Sequence, residues 1–281
     1  MGAVHGVHLK YVALSFVSAV CAVRCEGVAA FLLWYAAAVN AAAVVGFVTR
    51  RGMAVLGKDV LTGRVPLWSY VAWWPFHLPT WLYTAVHSSV SHGTPPASRV
   101  APGWFIGGRY GDALKKKWAA TIDLTAEFPE RCIDATEFYL NLRCWDGQPP
   151  SPFQLEEAAL FAATHRDQGD IMVHCAHGRG RSTCVMVACL VRAGVFENWQ
   201  AAFEECKLHR PAVKLNKKMR DALGEWQATY GNAPFREPHR AHAEPAAVDA
   251  NPSEGLRGRS ESLAESLGGG LSRAAYSYEQ H

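Results

Sequence analysis

The chain has 281 residues, 49% apolar and 19% charged, which excludes a disordered chain, a coiled coil and a collagen-like fibre. Its 28 basic and 25 acidic side chains leave +3, a balance that by itself argues neither for nor against nucleic acid. The mean hydropathy of −0.04 averages an apolar N-terminal third, a globular-looking middle and a polar tail.

The first apolar run, Tyr11 to Val23, lies between Lys10 and the cluster Arg24-Cys25-Glu26. It reads as the first arm of a helical hairpin; Lys10 alone is a poor basic region for a cleaved signal. The second run, Gly27 to Val48, has no charged residue, and Asn40 is its one strongly polar side chain. At 1.5 Å per residue it spans roughly 33 Å as a helix, enough for a hydrocarbon core of about 30 Å. Arg50, Arg51, Lys58 and Arg64 follow as a basic loop. The positive-inside rule makes that loop cytoplasmic, so a hairpin puts everything after it there too.

The third apolar stretch, Val65 to Val86, carries Pro66, Pro75 and Pro79 among Trp68, Trp73, Trp74 and Trp81. Proline interrupts the helix ladder and tryptophan favours the headgroup level, so a broken interfacial segment is expected rather than a straight third span. The expected location is therefore integral to a membrane, in contact with its lipid, with the rest of the chain facing the cytoplasm. Eight cysteines without a C-x-x-C pair suit a reduced compartment.

From about Arg99 short apolar strands alternate with helices. Strands are expected at Trp104–Gly107, Ala120–Leu124, Glu137–Leu142 and Ile171–Val173. Helices are expected at Phe153–Arg166, Ser182–Ala193, Trp199–Leu208 and Lys217–Ala228. Such alternation points to an α/β sheet, largely parallel, flanked by helices. Residues 232–281 are rich in Pro, Glu, Ser, Gly and Arg, and disorder is expected there.

Residues 174–183 read His-Cys-Ala-His-Gly-Arg-Gly-Arg-Ser-Thr, between a strand and a helix. Backbone N–H groups of such a turn converge on one point, and the helix N-terminus adds positive potential. Both lower the pKa of Cys175 and both attract phosphate. Gly178 and Gly180 let the loop, Ala176 to Arg181 with His177 and Arg179, curl as a phosphate cradle needs. Arg181 offers a planar fork that fits two phosphate oxygens.

This segment resembles the H-C-x-x-G-x-x-R-S/T signature of the cysteine-dependent protein tyrosine phosphatase superfamily, with His174, Cys175, Gly178, Arg181 and Ser182 in the defined positions. Within it, the dual-specificity branch is the most similar, over residues 99–230. Asp146, in Cys144-Trp145-Asp146-Gly147, precedes Cys175 by 29 residues, where that branch carries its general acid. The resemblance implies a Cys175 nucleophile, Arg181 binding phosphate, Asp146 as acid then base, Ser182 assisting thiolate departure and His174 in structural support. It implies no metal and no cofactor.

The expected organisation is a transmembrane hairpin and basic loop over 1–64, a Trp/Pro-rich segment over 65–98, a dual-specificity-phosphatase-like catalytic domain over 99–231 and the tail over 232–281. A phosphorylated protein is the substrate the branch implies first. A phospholipid or phosphoinositide is the alternative, suggested by His177, Arg179 and the hairpin. The segment Thr125–Glu130 also resembles the acidic, aromatic loop of phosphatidylglycerophosphate-type relatives. A third reading is an inactive phosphate-binding scaffold. No nucleic-acid partner is expected.

Overall fold

A computed structural model describes residues 6–90 and 93–231. The tail expected at 232–281 lies outside the described residues. At the N-terminus, α1 (Val7–Ala22) and α2 (Gly27–Thr49) form an antiparallel pair. Lys10 falls inside α1, which begins earlier than the apolar run suggested. The pair is joined where Ser15 Oγ donates to Ala37 O (2.9 Å) and Tyr11 stacks on Phe47 (5.4 Å). α2 is long and apolar enough to cross a membrane, with a hydropathy of 2.0 over its most apolar window. Val28, Phe31, Leu32 and Trp34 of α2, with Leu9, Phe16 and Val17 of α1, face outward.

The third apolar stretch breaks once, at Trp73, two residues before Pro75; Pro79, expected to interrupt a helix, lies inside the one that follows without ending it. α3 (Leu67–Ala72) ends at Trp73, and α4 (Trp74–Val90) restarts there. Pro75 sits in the first turn of α4, where its missing N–H costs nothing.

The remainder is a five-stranded sheet in the order β1-β2-β5-β3-β4. β1 (Ala97–Ala101) runs antiparallel to β2 (Trp104–Gly107), and the other pairings are parallel: β2 with β5 (Ile171–His174), β5 with β3 (Trp118–Thr125), and β3 with β4 (Thr136–Cys144). The sheet is flanked by α5 (Pro152–His165), α6 (Arg181–Arg192), α7 (Trp199–His209) and α8 (Lys217–Tyr230). α5 starts on a capping box between Ser151 and Gln154, and Asn198 and Asn216 cap α7 and α8.

Every residue of β3 and β5 is buried, and so is α6 from Arg181 to Val191. A helix buried on all sides belongs in the middle of a core. The loop from His174 to Arg181 is therefore anchored at both ends by fully enclosed elements. It leaves the carboxyl end of the central strand, flanked in register by Gly107 of β2 and Asp123 of β3. In an open parallel sheet that position opens a crevice for ligands.

Lys58, grouped above with the arginines of the basic loop, is fully buried, and its ammonium bonds the Asp123 carboxylate, Thr125 O (3.0 Å) and Thr125 Oγ1 (2.9 Å). Arg50, Arg51 and Arg64 are exposed.

Candidate active site

Cys175 sits at the bottom of the loop, 3% exposed, its Sγ 3.4 Å from Ser182 Oγ. Burial raises its pKa, but the Arg181 charge, the Ser182 hydroxyl and the backbone N–H groups of Ser182 and Arg179 outweigh that, and the net shift is downward. The thiol is thus poised toward thiolate.

Gly178 has φ +66°, and a Cβ there would lie 2.4 Å from the Gly107 carbonyl carbon. Only glycine lets the loop pass so close to β2. From outside, Arg210 holds the loop in shape. Its Nε donates to Gly178 O (2.8 Å) and its Nη2 to His177 O (3.3 Å), while Nη1 ties it to Pro95 O and Ser98 Oγ. Arg109 N donates to Ala176 O (3.2 Å) and Lys214 N to Arg179 O (2.8 Å).

Arg181 is 1% exposed. Its Nη2 and Nη1 grip the Glu127 carboxylate at 2.7 and 3.2 Å, and Nη1 also donates to Cys144 O (2.7 Å) and Leu124 O (3.1 Å). Its Nε is buried with no hydrogen-bond partner among the described residues. Both terminal nitrogens of the fork expected to meet two phosphate oxygens are thus engaged within the protein, and Nε is the donor left for an anion. Burial would lower its pKa, yet Glu127, Asp146 and Cys175 raise it well above the ordinary value.

Asp146 follows β4, with Oδ1 3.3 Å from Arg181 Nη2. Its side chain is 24% exposed but enclosed enough that desolvation dominates. Burial raises its pKa, Glu127 adds to the rise, and Arg181 and Lys10 offset only part of it. A raised carboxyl pKa is what a general acid requires.

His174 lies behind the cysteine, Nε2 2.5 Å from Glu130 Oε2 and 3.8 Å from Asp123 Oδ1. Burial lowers its pKa, but the two carboxylates prevail and raise it to about 9. Asp123, Glu130 and His174 lie close enough to hold a metal ion, but the ammonium of Lys58 already compensates Asp123.

The structure brings together Cys175, Arg181, Ser182 and Asp146, and puts His174 one layer behind. His177 and Arg179 differ from expectation. They face α4: Arg179 Nη1 is 2.9 Å from His87 Nε2, and the His177 ring lies 4.6 Å from that of His87. Burial, then the charges of His87, Arg181 and Arg179, lower the pKa of His177 to about 3, so it is neutral. Arg210 was missed, and the partners of Glu127 and Lys58 were not foreseen although their segments were singled out, because those partners are distant in sequence. A cleft beside Asp146 is walled by Lys10, Tyr11, Phe47, Phe76, Tyr83 and Phe128, so the N-terminal helices form one side of the site.

No protein-family model and no curated protein sequence matches the chain. Solved structures do. A mouse dual-specificity phosphatase complexed with zinc tungstate is 26% identical over 50% of this chain and 91% of its own, with a TM-score of 0.43. Human DUSP28 is 23% identical over 48% and 95%, with a TM-score of 0.40. PTPMT1 in complex with PI(5)P is 17% identical over 48% and 96%, also with 0.40. The solved structures similar to this chain are thus of the dual-specificity and protein tyrosine phosphatase kind.

Proposed function

We propose that the chain is a membrane-anchored phosphatase that hydrolyses phosphomonoesters through a cysteinyl-phosphate. The observation that carries this reading is the buried Arg181 fork, fixed by Glu127, with its Nε unpaired beside a thiol of lowered pKa. The Cys175 thiolate attacks phosphorus, forming an S–P bond as the P–O bond to the substrate breaks, and Asp146 gives its proton to the departing oxygen. Water then attacks phosphorus, Asp146 takes its proton, the S–P bond breaks with Ser182 donating to the thiolate, and inorganic phosphate leaves. The loop N–H groups and Arg181 bear the charge on the equatorial oxygens throughout. Turnover of a generic aryl phosphate tests this reading; phosphate binding without turnover would mean a scaffold.

The substrate is a phosphoprotein or a phospholipid. The resemblance of the signature brings the protein reading. The apolar N-terminal helices favour the lipid reading, because α2 is long and apolar enough to cross a membrane and Lys10 and Tyr83 of the neighbouring helices lie beside Asp146. Full-length enzyme should then turn over phosphoinositide or phosphatidylglycerophosphate in vesicles faster than phosphotyrosine or phosphothreonine peptides. Arg179→Ala should weaken lipid turnover more than aryl phosphate turnover. Phosphopeptides winning, with Arg179→Ala acting on all substrates alike, returns the enzyme to the protein phosphatases.

A further inference from the structure

The loop that carries Asp146 is held by the end of α2. Trp145, 2% exposed, packs on Phe47 (ring centroids 4.6 Å) and edge-on to Phe76 (5.7 Å). Its indole Nε1 donates to Arg51 O at 2.9 Å, and Gln148 Nε2 donates to Phe47 O at 3.1 Å. Phe47 O lies in the last turn of α2, where helix carbonyls have lost their intrahelical partners, and Arg51 O lies two residues past the helix end. The residues on either side of Asp146–Gly147 thus satisfy groups of a helix about a hundred positions earlier. From the opposite side, Asn216 Nδ2 donates to Gly147 O at 2.8 Å.

Gly46 makes the contact possible. A Cβ there would stand 3.0 Å from Trp145 Cζ2, 3.3 Å from Cε2 and 3.2 Å from Arg51 O. A Cβ there requires the indole to give by a few tenths of an ångström, and a larger side chain by more. No helix requirement explains a glycine at this point, since alanine is the better helix former.

We propose that the end of α2 with the two residues after it, Gly46 to Arg51, is a positioning element of the reaction: it docks Trp145 and Gln148 and so sets the Asp146 carboxyl against the leaving-group oxygen. The proposal rests on the reading of Asp146 as general acid. It makes the N-terminal helices part of the catalytic apparatus as well as an anchor. Proton transfer depends steeply on placement, and an error near 1 Å can cost about a hundredfold.

The test uses the full-length chain, phosphate esters with leaving groups of graded basicity, and thermal unfolding as a control. Gly46→Val should lower kcat roughly tenfold or more on poor leaving groups and by less than about threefold on an activated aryl phosphate. Gly46→Ala should do the same in weaker form at unchanged Tm. Trp145→Phe in the wild-type background deletes the indole bond to Arg51 O and should show the same leaving-group dependence. If the valine variant does not fold, Gln148→Met supplies the same comparison. Losses equal across leaving groups in the Gly46 and Trp145 variants overturn the docking role. Asp146→Asn run in parallel separates the two readings: a variant without leaving-group dependence refutes the acid itself, whereas dependence there and none in the Gly46 variants refutes only the dock.

Discussion

Lys58 and Asp123 are 65 positions apart, one in the loop after α2 and the other on a central strand beside Cys175, yet both are fully buried and form an ion pair. Tyr139 Oη donates to the same carboxylate at 2.9 Å. Removing one partner of a buried pair strands the other charge. Lys58→Met should therefore destabilise the protein by about 3–5 kcal/mol. Adding Asp123→Asn should recover much of it, because the orphaned charge is gone. Denaturant melts of the two variants check this, and a double variant no better than the single would refute the pairing.

The thiolate assignment predicts that Cys175→Ser abolishes aryl phosphate hydrolysis with an unchanged melt, since a serine hydroxyl stays protonated at neutral pH. Arg181→Lys should lose most activity too, keeping the charge but not the fork. A tenth of wild-type turnover surviving in the serine variant would sink the nucleophile.

Asp146→Asn should slow hydrolysis of poor leaving groups by roughly 10²–10⁴ and of activated ones much less. The pH profile gives a second readout. The Cys175 pKa is lowered, so activity rises early on the acid side as thiolate forms. The Asp146 pKa is raised, so the protonated acid survives to a higher pH before activity falls. In the asparagine variant the alkaline fall should vanish while the acid limb stays. Both limbs persisting would place the acid elsewhere.

His174 and Glu130 predict a pH dependence of stability. His174 is raised from 6.5 to about 9, so its contribution is complete below pH 6.5 and disappears as the pH climbs through 9. Glu130 is lowered from 4.5 to about 2, so its share is complete above pH 4.5 and disappears as the pH falls through 2. Their joint contribution should plateau between pH 4.5 and 6.5. Denaturation midpoints of His174→Asn against wild type should differ most there and converge on the alkaline side. A constant difference from pH 6 to 10 contradicts the charged pair.

Much of the α/β architecture was legible because it is local. Trp104–Gly107 begins and ends where expected, and α6 to α8 lie within two residues of their sequence-predicted bounds. β1 was missed: Ala97–Ala101 is five residues at an edge, with Ser98 and Arg99 interrupting any apolar alternation. The signature announced the loop, since strand, glycines and helix must be contiguous to build it. What escaped was whatever needed a second segment. Lys58 reads as a surface charge until Asp123 is seen beside it. His177 and Arg179 read as basic groups of the loop alone until His87 of α4 is seen beside them. Glu127 and Arg210 are ordinary charged residues in sequence and acquire their places only through Arg181 and the loop carbonyls.

The outer bonding of the Cys175 loop fixes its inner face. In a trans peptide the carbonyl of one residue and the N–H of the next point in opposite directions. The carbonyls of Ala176, His177, Gly178 and Arg179 are all engaged on the outside, by Arg109, Arg210 and Lys214. The N–H groups of His177, Gly178, Arg179 and Gly180 are thereby turned inward together. No peptide can flip without breaking a bond on the far side, so the cradle keeps one polarity whether or not an anion is in it. An arriving phosphate meets dipoles already aligned and owes nothing for turning them.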